Sequence, residues 1–389
     1  MSEANRLIRA IALYLPQYHP IPENDEWWGK GFTEWVHVTR AKPLFRGHVQ
    51  PKFPADLGYY DLRVPETRIA QAELARHYGI EGFCYWHYWF AGRRLLERPF
   101  NEVLQSGQPD FPFCLAWANH SWNAAWIGLP EKVFLEQTYP GKEDYIAHFQ
   151  ALLPAFRDPR YIRVDGKPLF VIFRPSFIPD PVEFTDLWRD LAVKAGLEGL
   201  FILGMCCSPW NKSPWRPEDY GLDGCITVTG QSPESRFGEK HAKLVNKRTL
   251  KERIRLFLRR PCIESYAALV AHAFEPKPLP HNVYPCALSN WDSTPRHNIR
   301  GTVLTGCCPE AFRWHLLDAA QCVVGREWEH RLVFVKSWNE WAEGNYLEPD
   351  VQFGHGWLEA VKSVVFASSR ELEQVDSVNI RSSVSSPRS

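Results

Sequence analysis

The chain has 389 residues, of which 45% are hydrophobic, and its 45 Lys and Arg residues balance 45 Asp and Glu residues. This length accommodates a single (β/α)8 barrel of about 250 residues with insertions. The zero net charge argues against a nucleic-acid-binding protein, which normally carries a basic excess. No apolar run approaches the roughly 20 residues that cross a bilayer, and the first residues do not resemble a signal peptide. We therefore expect a cytoplasmic protein without a transmembrane segment.

Apolar runs typical of buried strands recur along the chain, and amphipathic helical runs follow most of them. We predict eight strands, over residues 8–15, 82–86, 113–118, 169–173, 200–205, 225–228, 284–289 and 332–335. We predict seven helices, over residues 65–78, 97–105, 144–156, 182–195, 266–274, 310–324 and 356–366. A long loop rich in Pro, Trp and Gly, residues 20–60, separates the first strand from the first helix.

This alternation predicts an α/β fold in which a parallel sheet closes as a single TIM-type (β/α)8 barrel. An open doubly wound sheet is the alternative, but we find neither a GxGxxG motif after the first strand nor a GxxxxGK[ST] motif. We assign residues 1–368 to the barrel, with long loops after the strands and an insertion around residues 208–262. The tail, residues 369–389, is predicted to be disordered.

The insertion carries a basic run at residues 247–260 that is typical of an amphipathic helix. We interpret it as a solvated helix that covers the barrel. Contact with a membrane or an anionic glycan is the alternative interpretation.

The sequence contains no recognisable motif for a metal site or a redox site. The ten cysteines form no CxxC pair, which favours reduced, buried thiols. His19, His87 and His120 match no known metal-ligand spacing. We therefore predict no metal and no other cofactor.

Aromatic residues are unusually frequent, with 17 Trp, 14 Tyr and 23 Phe. In a barrel, catalytic residues lie at the carboxyl ends of the strands, and aromatic, amide, histidine and acidic side chains recur at five of the eight predicted ends. The candidate substrate-binding residues there are Tyr14, Gln17, His19, Tyr85, His87, Trp89, Trp117, Asn119, Trp122, Asn290, Trp291, Asp292, Trp338, Asn339 and Trp341. The first long loop adds Trp28, Glu34 and Trp35 as candidate subsite residues.

Several of these candidates have an equally good structural interpretation. His87 is also compatible with a core histidine, and Asn119 and Asn290 with turn caps. Asp292 is also compatible with a salt bridge to Arg296 or Arg300. Trp28 and Trp35 are also compatible with packing inside the loop.

Two carboxylates, Glu340 and Glu343, follow the eighth strand among Trp and Tyr residues. Paired carboxylates can divide the roles of general acid and general base, and sugar rings stack on aromatic walls. Together these residues indicate carbohydrate chemistry, with a polysaccharide or oligosaccharide as the partner. Because the donor of a proton must be protonated at rest, we expect a raised pKa at one of the two.

Several motifs resemble those of the WbsX-type family over about residues 8–365. They are YLPQYH at 14–19, ENDEWWGKGFTEW at 23–35, GFCYWHYW at 82–89 and WAN at 117–119. That family is usually labelled as glycosyltransferases of lipopolysaccharide and O-antigen clusters. It is similar in turn to glycoside hydrolase family 99, a (β/α)8 family of retaining endo-α-1,2-mannosidases and mannanases.

The resemblance to family 99 implies catalytic roles for two residues, through the motif NEWAEG at 339–344. Glu340 would be the base that deprotonates the 2-hydroxyl of the substrate, whose oxygen then forms a 1,2-anhydro sugar. Glu343 would protonate the leaving oxygen, and would therefore carry the raised pKa. A carboxylate nucleophile is the other retaining arrangement, and spacing in the sequence does not distinguish the two.

Three functions follow as hypotheses. The first is a glycoside hydrolase acting on an α-linked manno-configured polysaccharide of mannose or rhamnose. The second is a glycosyltransferase of O-antigen or lipopolysaccharide synthesis, although we find no DxD motif and no glycine-rich phosphate loop. The third is a carbohydrate-binding barrel without catalysis, which two intact glutamates argue against.

Overall fold

Eight parallel strands form a closed barrel in the computed structural model, which describes residues 6–124, 129–205, 216–228, 250–271, 273–274 and 278–368. The strands are β1 Arg9–Tyr14, β2 Gly82–Phe90, β3 Phe113–Trp117, β4 Lys167–Ile172, β5 Phe201–Met205, β6 Gly224–Val228, β7 Val283–Leu288 and β8 Leu332–Lys336. Each strand pairs with its neighbours in the chain, and β1 pairs with both β2 and β8. The predicted α/β barrel is confirmed, and the open doubly wound sheet is wrong.

The apolar character of the strands explains why they lie at the centre of the fold. All six residues of β1 and the first four of β8 are buried. Strands of a parallel barrel are covered on both faces, by the barrel interior and by the outer helices, so they are continuously apolar rather than alternating. Eight such runs were recognisable in the sequence for this reason.

The helices lie between the strands and cover the barrel. They are α1 Pro22–Trp28, α2 Glu34–Arg40, α3 Pro65–His77, α4 Arg98–Ser106, α5 Lys142–Arg157, α6 Pro181–Lys194, α7 Leu250–Phe257, α8 Tyr266–Val270, α9 Thr294–His297, α10 Pro309–Gln321 and α11 Gly356–Val365. Proline occupies the first position of α3, α6 and α10, where its missing N–H leaves no bond unmade. The predicted helix over residues 266–274 ends earlier, at Val270.

The first long loop is more ordered than its composition indicated, because it contains α1 and α2. Trp35 of α2 is buried, packs on Tyr18 and Trp341, and donates a hydrogen bond from Nε1 to the carbonyl of Tyr60 at 2.8 Å. A helix of seven residues is too short for its apolar residues to show a clear helical period in the sequence. The loop therefore carries a helix to the carboxyl end of β8.

Parts of two predictions lie outside the described residues. These are most of the 208–262 insertion, at 206–215 and 229–249, and the tail at 369–389. Within the insertion the structure describes β6 and α7. None of the helices in the described ranges is both long and apolar enough to cross a membrane.

The described cysteines are all free thiols, and Cys84, Cys114, Cys286 and Cys322 are buried as predicted. Burial raises the pKa of the Cys286 thiol to about 12. A thiol that resists ionisation in this way is a poor nucleophile and a poor metal ligand.

Candidate active site

A tight turn after β8 positions the two predicted catalytic carboxylates. Asn339–Glu340 pairs with Asn345–Tyr346 as a short antiparallel ribbon. Asn339 is buried, and its side chain accepts a hydrogen bond from the N–H of Leu15 at 2.8 Å and donates one to its carbonyl at 3.0 Å. The turn is thereby attached to the end of β1.

Gly344 closes this turn with a left-handed backbone, at φ 63°. A Cβ at this position would lie 2.7 Å from the backbone nitrogen of Asp292, which itself donates to the carbonyl of Glu343 at 2.7 Å. Only glycine combines this conformation with so close an approach. The loops after β7 and β8 are thus joined directly beside the carboxylates.

A buried hydrogen-bond network stabilises the turn that carries the two carboxylates. Trp341 stacks on Tyr346 at a centroid distance of 3.8 Å, and its Nε1 donates to Glu348 at 2.6 Å. Glu348 also accepts hydrogen bonds from Tyr60 at 2.9 Å and Gln71 at 2.7 Å. Burial nevertheless raises the pKa of Glu348 to about 7.

This network makes the stability of the protein depend on pH. A carboxyl whose folded pKa is raised from 4.5 to about 7 stabilises the fold below pH 4.5, and that contribution is lost as pH rises through 7. We expect Glu348→Gln to become more stable than wild type above pH 7, by up to about 3 kcal/mol, and to show no gain near pH 4.5. Urea unfolding of both proteins between pH 4.5 and 8 measures this difference. A difference in stability between the two proteins that does not change with pH would contradict the raised pKa of Glu348.

Glu340 and Glu343 lie together in a largely desolvated site, with about 10% of each side chain exposed. Glu340 accepts a hydrogen bond from the hydroxyl of Ser337 at 3.0 Å. Glu343 accepts one from Arg296, and its second oxygen lies 3.5 Å from Lys336 Nζ. The structure therefore brings together the two residues that the sequence predicted as a pair.

The two cations lie closer to Glu343 than to Glu340. Arg296 Nη1 is 3.9 Å from Glu340, and Lys336 Nζ is 4.0 Å from it. Burial and the neighbouring negative charge of Glu343 raise the pKa of Glu340 to about 7. The roles that the resemblance implies for Glu340 and Glu343 stay a prediction.

Arg296 is the central cation of the site, and its role was missed in the sequence. It belongs to α9, only 7% of its side chain is exposed, and its Nε donates to Glu34 at 3.0 Å while Nη1 bonds Glu343. Burial raises the pKa of Glu34, and Arg296 opposes this shift. Gln17, a predicted site residue, donates to the other oxygen of Glu34 at 3.3 Å. No sequence pattern predicts that Arg296 contacts Glu34, because the two residues are 262 positions apart in the chain.

Asp292 is held by a different set of partners from those predicted. Its carboxylate accepts hydrogen bonds from His48 at 2.7 Å, Gln50 at 2.6 Å and the hydroxyl of Thr294 at 2.6 Å. Burial alone would raise the pKa of Asp292, but these hydrogen bonds lower it. The predicted salt bridge to Arg296 or Arg300 is replaced by this network, which holds the loop after β7 against the first long loop.

Aromatic rings lie next to the carboxylates. Lys336 Nζ is 4.4 Å from the ring centre of Trp291. Tyr88, which was not among the predicted site residues, is buried, and both burial and the negative charge of Glu340 raise its pKa. Trp122 packs edge-on against Tyr88 at 5.1 Å, and Trp28 is half-buried against Phe134. Trp291 and Tyr88 are therefore the aromatic residues next to the acids.

Other predicted site residues form the framework beneath the site. Tyr14, Tyr85, Trp117 and Trp338 are buried in the main core. Polar partners hold the rest: His87 bonds His148, Trp89 bonds Asp144, Asn119 bonds Tyr139 and Arg174, and His19 bonds the carbonyl of Pro16. Asn290 is buried in the loop after β7. A role of these residues in substrate binding stays a prediction.

The described part of the chain contains no group of three or more His, Cys, Asp or Glu side chains placed to hold a metal ion. Two glutamates of the site, Glu34 and Glu343, instead form ion pairs with Arg296 or Lys336, and both cations lie about 4 Å from the third, Glu340. This arrangement suits proton transfer, for which the groups must be desolvated and oriented.

Comparison with known proteins identifies the family. A model described as "Glycosyltransferase WbsX" matches residues 10–361. The chain belongs to this WbsX family. It is also 36% identical over 359 residues, 91% of its length, to the uncharacterized protein WxcX of Xanthomonas campestris pv. campestris strain B100 and of a second strain. The chain spans about half (49%) of the length of these relatives.

Two solved structures that are similar to this chain share its fold. A GH99 endo-α-mannosidase from Bacteroides thetaiotaomicron has a TM-score of 0.54 and 16% identity, covering 95% of this chain and 98% of that one. A glycoside hydrolase-like protein has a TM-score of 0.55 and 15% identity, covering 95% and 96%. At these identities the likeness establishes the (β/α)8 fold of this WbsX-family member.

Proposed function

We propose that this WbsX-family protein is a glycoside hydrolase that cleaves an α-linked manno-configured polysaccharide, of mannose or rhamnose. The observation that carries the proposal is the pair Glu340 and Glu343 at the end of β8. One carboxyl of the pair has a pKa raised to about 7, and the other is bonded to two cations. Acid–base cleavage of a glycosidic bond requires such a pair, in which one carboxyl donates a proton and the other accepts one.

The proposed reaction retains the configuration at the anomeric carbon and passes through a 1,2-anhydro sugar, as the resemblance to family 99 implies. In manno-configured α-glycosides the 2-hydroxyl is trans to the leaving group, so its oxygen can attack the anomeric carbon from the opposite side. One carboxyl removes the 2-hydroxyl proton and the other supplies a proton to the leaving oxygen. Positioning matters, because a hydroxyl is a weak acid and its base must lie within hydrogen-bond reach.

Aromatic residues near the carboxylates support a sugar as the substrate. Trp291 and Tyr88 lie beside the acids, and Trp122 packs on Tyr88. A pyranose presents C–H groups on its ring faces, and such faces pack on aromatic rings, whose polar edges remain available for hydroxyls.

A glycosyltransferase activity is the second candidate, because the matching family model carries that description. The charges of the site weigh against a nucleotide-sugar donor bound at the glutamates. Arg296 and Lys336 already neutralise Glu34 and Glu343, whereas a diphosphate would need cations of its own.

Product analysis tests the function directly. The protein is incubated with α-mannan and with rhamnose-containing O-antigen polysaccharide, each with and without GDP-mannose and dTDP-rhamnose. We expect new reducing ends without any nucleotide sugar, and none with Glu340→Gln. Chain extension that depends on a nucleotide sugar would establish the transferase instead. Binding of polysaccharide with neither outcome would indicate a non-catalytic barrel.

A further inference from the structure

We propose that the end of α7 is a docking surface for a membrane with anionic lipid headgroups. This surface, the α7 patch, comprises Ile254, Phe257, Leu258, Arg259 and Arg260. Membrane docking is a property additional to the proposed hydrolysis, and neither depends on the other. The basis for it is that large apolar side chains are exposed directly beside basic ones.

The apolar side chains of the α7 patch are open to solvent. Phe257 is 86% exposed, the highest value among the large hydrophobic residues that the structure describes, and Leu258 and Ile254 are 56% and 51% exposed. The N–H of Leu258 bonds the carbonyl of Ile254 at 2.9 Å, so the helical turn continues to this residue. Positions 254, 257 and 258 therefore lie on one face of the helix. Adjacent exposed apolar side chains indicate an interaction surface, whereas isolated ones are common.

Positive charge accompanies these apolar side chains. Residues 250–260 contain five Lys or Arg residues and one Glu, which leaves four net positive charges in a chain whose total net charge is zero. Arg259 and Arg260 directly follow Leu258, and both are exposed. Anionic headgroups attract such cations, while neighbouring apolar side chains enter the boundary between headgroups and acyl chains. The α7 patch offers both kinds of contact.

Hydrogen bonds fix the α7 patch to the barrel. Nη1 of Arg255 donates to the carbonyl of Ile299 at 2.9 Å and to the carbonyl of Arg260 at 3.0 Å. After the patch, residues Cys262–Ser265 pair in parallel with Thr302–Thr305. Both contacts are made to the segment that follows β7 and α9. A docked α7 patch would therefore hold this segment, which carries Arg296, close to the lipid surface.

The helix ends at Arg259 in a conformation that favours glycine. The φ of Arg259 is 54°. Its N–H bonds the carbonyl of Leu256 at 3.0 Å, and the N–H of Arg260 bonds the carbonyl of Arg255 at 3.1 Å. These are the two hydrogen bonds of a Schellman motif, in which glycine is the preferred residue at the left-handed position. Arg259→Gly thus removes a charge from the α7 patch without weakening the end of the helix.

An anionic membrane fits the α7 patch better than two alternative partners. Two copies of this chain that met at the patch around a two-fold axis would bring their arginines against one another, and like charges in contact repel. A soluble anionic glycan would satisfy the arginines, but it offers no apolar phase for Leu258 and Ile254, which have no ring to stack on a sugar. A lipid surface satisfies the cations and the aliphatic side chains together.

Sedimentation with lipid vesicles tests the docking surface. The full chain is mixed with vesicles of phosphatidylcholine alone, or of equal parts phosphatidylcholine and phosphatidylglycerol. We expect binding to the anionic vesicles that weakens as salt is added, and little binding to phosphatidylcholine. Arg259→Gly should lower the partition coefficient about fivefold, because one basic residue near the surface is lost. Phe257→Ser should lower it about tenfold or more.

Matched controls come from α6. Val193 is 61% exposed and Lys194 is also exposed, so Val193→Ser and Lys194→Gln make similar changes outside the α7 patch. Both should bind vesicles as wild type does. The melting temperatures of Arg259→Gly and Phe257→Ser should stay near that of wild type. Any release of reducing ends from soluble polysaccharide should be equal in wild type and both patch variants, which separates failure of docking from failure of the proposed hydrolase.

Three results would overturn the docking surface. Wild-type protein that does not sediment with anionic vesicles is the first, and binding that neither patch variant weakens is the second. The third is a different partner for the patch: self-association of the wild type that Phe257→Ser abolishes, or binding to a soluble anionic polysaccharide in place of vesicles.

Discussion

Replacing Glu340 and Glu343 together by glutamine is expected to lower kcat/KM for polysaccharide cleavage by about 10⁴-fold, close to the loss caused by the worse single variant. The two carboxyls act in one step, in which one proton is taken up as another is released. Once either proton transfer is lost, the other carboxyl accelerates the reaction little. The losses of kcat/KM in the two single variants therefore do not multiply.

Release of reducing ends, measured for wild type, both single variants and the double variant, checks this expectation. Glu359→Gln is the matched control, because Glu359 is an exposed glutamate of α11. It should leave kcat/KM unchanged. Losses that multiply in the double variant would show that the two carboxyls act in separate steps. Full activity in the double variant would show that neither carboxyl takes part in catalysis.

Replacing Arg296 by methionine is expected to destabilise the fold by about 3–5 kcal/mol at pH 8. Methionine fills much of the volume but leaves Glu34, Glu340 and Glu343 buried with Lys336 as their remaining cation in the cluster. The folded pKa values of Glu34 and Glu340 are already above 4.5, and removal of Arg296 raises them further. The destabilisation should therefore shrink as pH falls from 8 toward 5, because protonation removes the uncompensated charges.

Urea unfolding at pH 5 and pH 8 measures this effect, and Glu34→Gln in the Arg296→Met background is the paired variant. Glutamine at position 34 removes one of the buried charges, so it should restore part of the stability at pH 8. It should not restore cleavage, because Glu343 still lacks its positioning partner. An equal loss of stability at both pH values would mean that packing, not charge, is the contribution of Arg296.

The electrostatics of the site depend on contacts that the sequence does not reveal. Glu340 and Glu343 are three residues apart and appear equivalent in the chain, surrounded by the same aromatic residues. Their difference comes from Arg296 on α9 and from Lys336 at the end of β8, which lie closer to Glu343. Neither cation belongs to a motif with a recognisable spacing.

What the sequence determined by itself is the barrel and the location of the acids. Strands covered on both faces must be apolar along their whole length, and this local property revealed all eight. A carboxylate pair that directly follows a strand of a parallel barrel lies at the catalytic end of the barrel, irrespective of the conformation of the loops. The tertiary structure alone decided which cations face the two carboxyls. That depends on distances of a few ångströms between Arg296, Glu34 and Glu343, which α2, α9 and β8 bring together from distant parts of the chain, and electrostatic energies in a buried site change steeply over such distances.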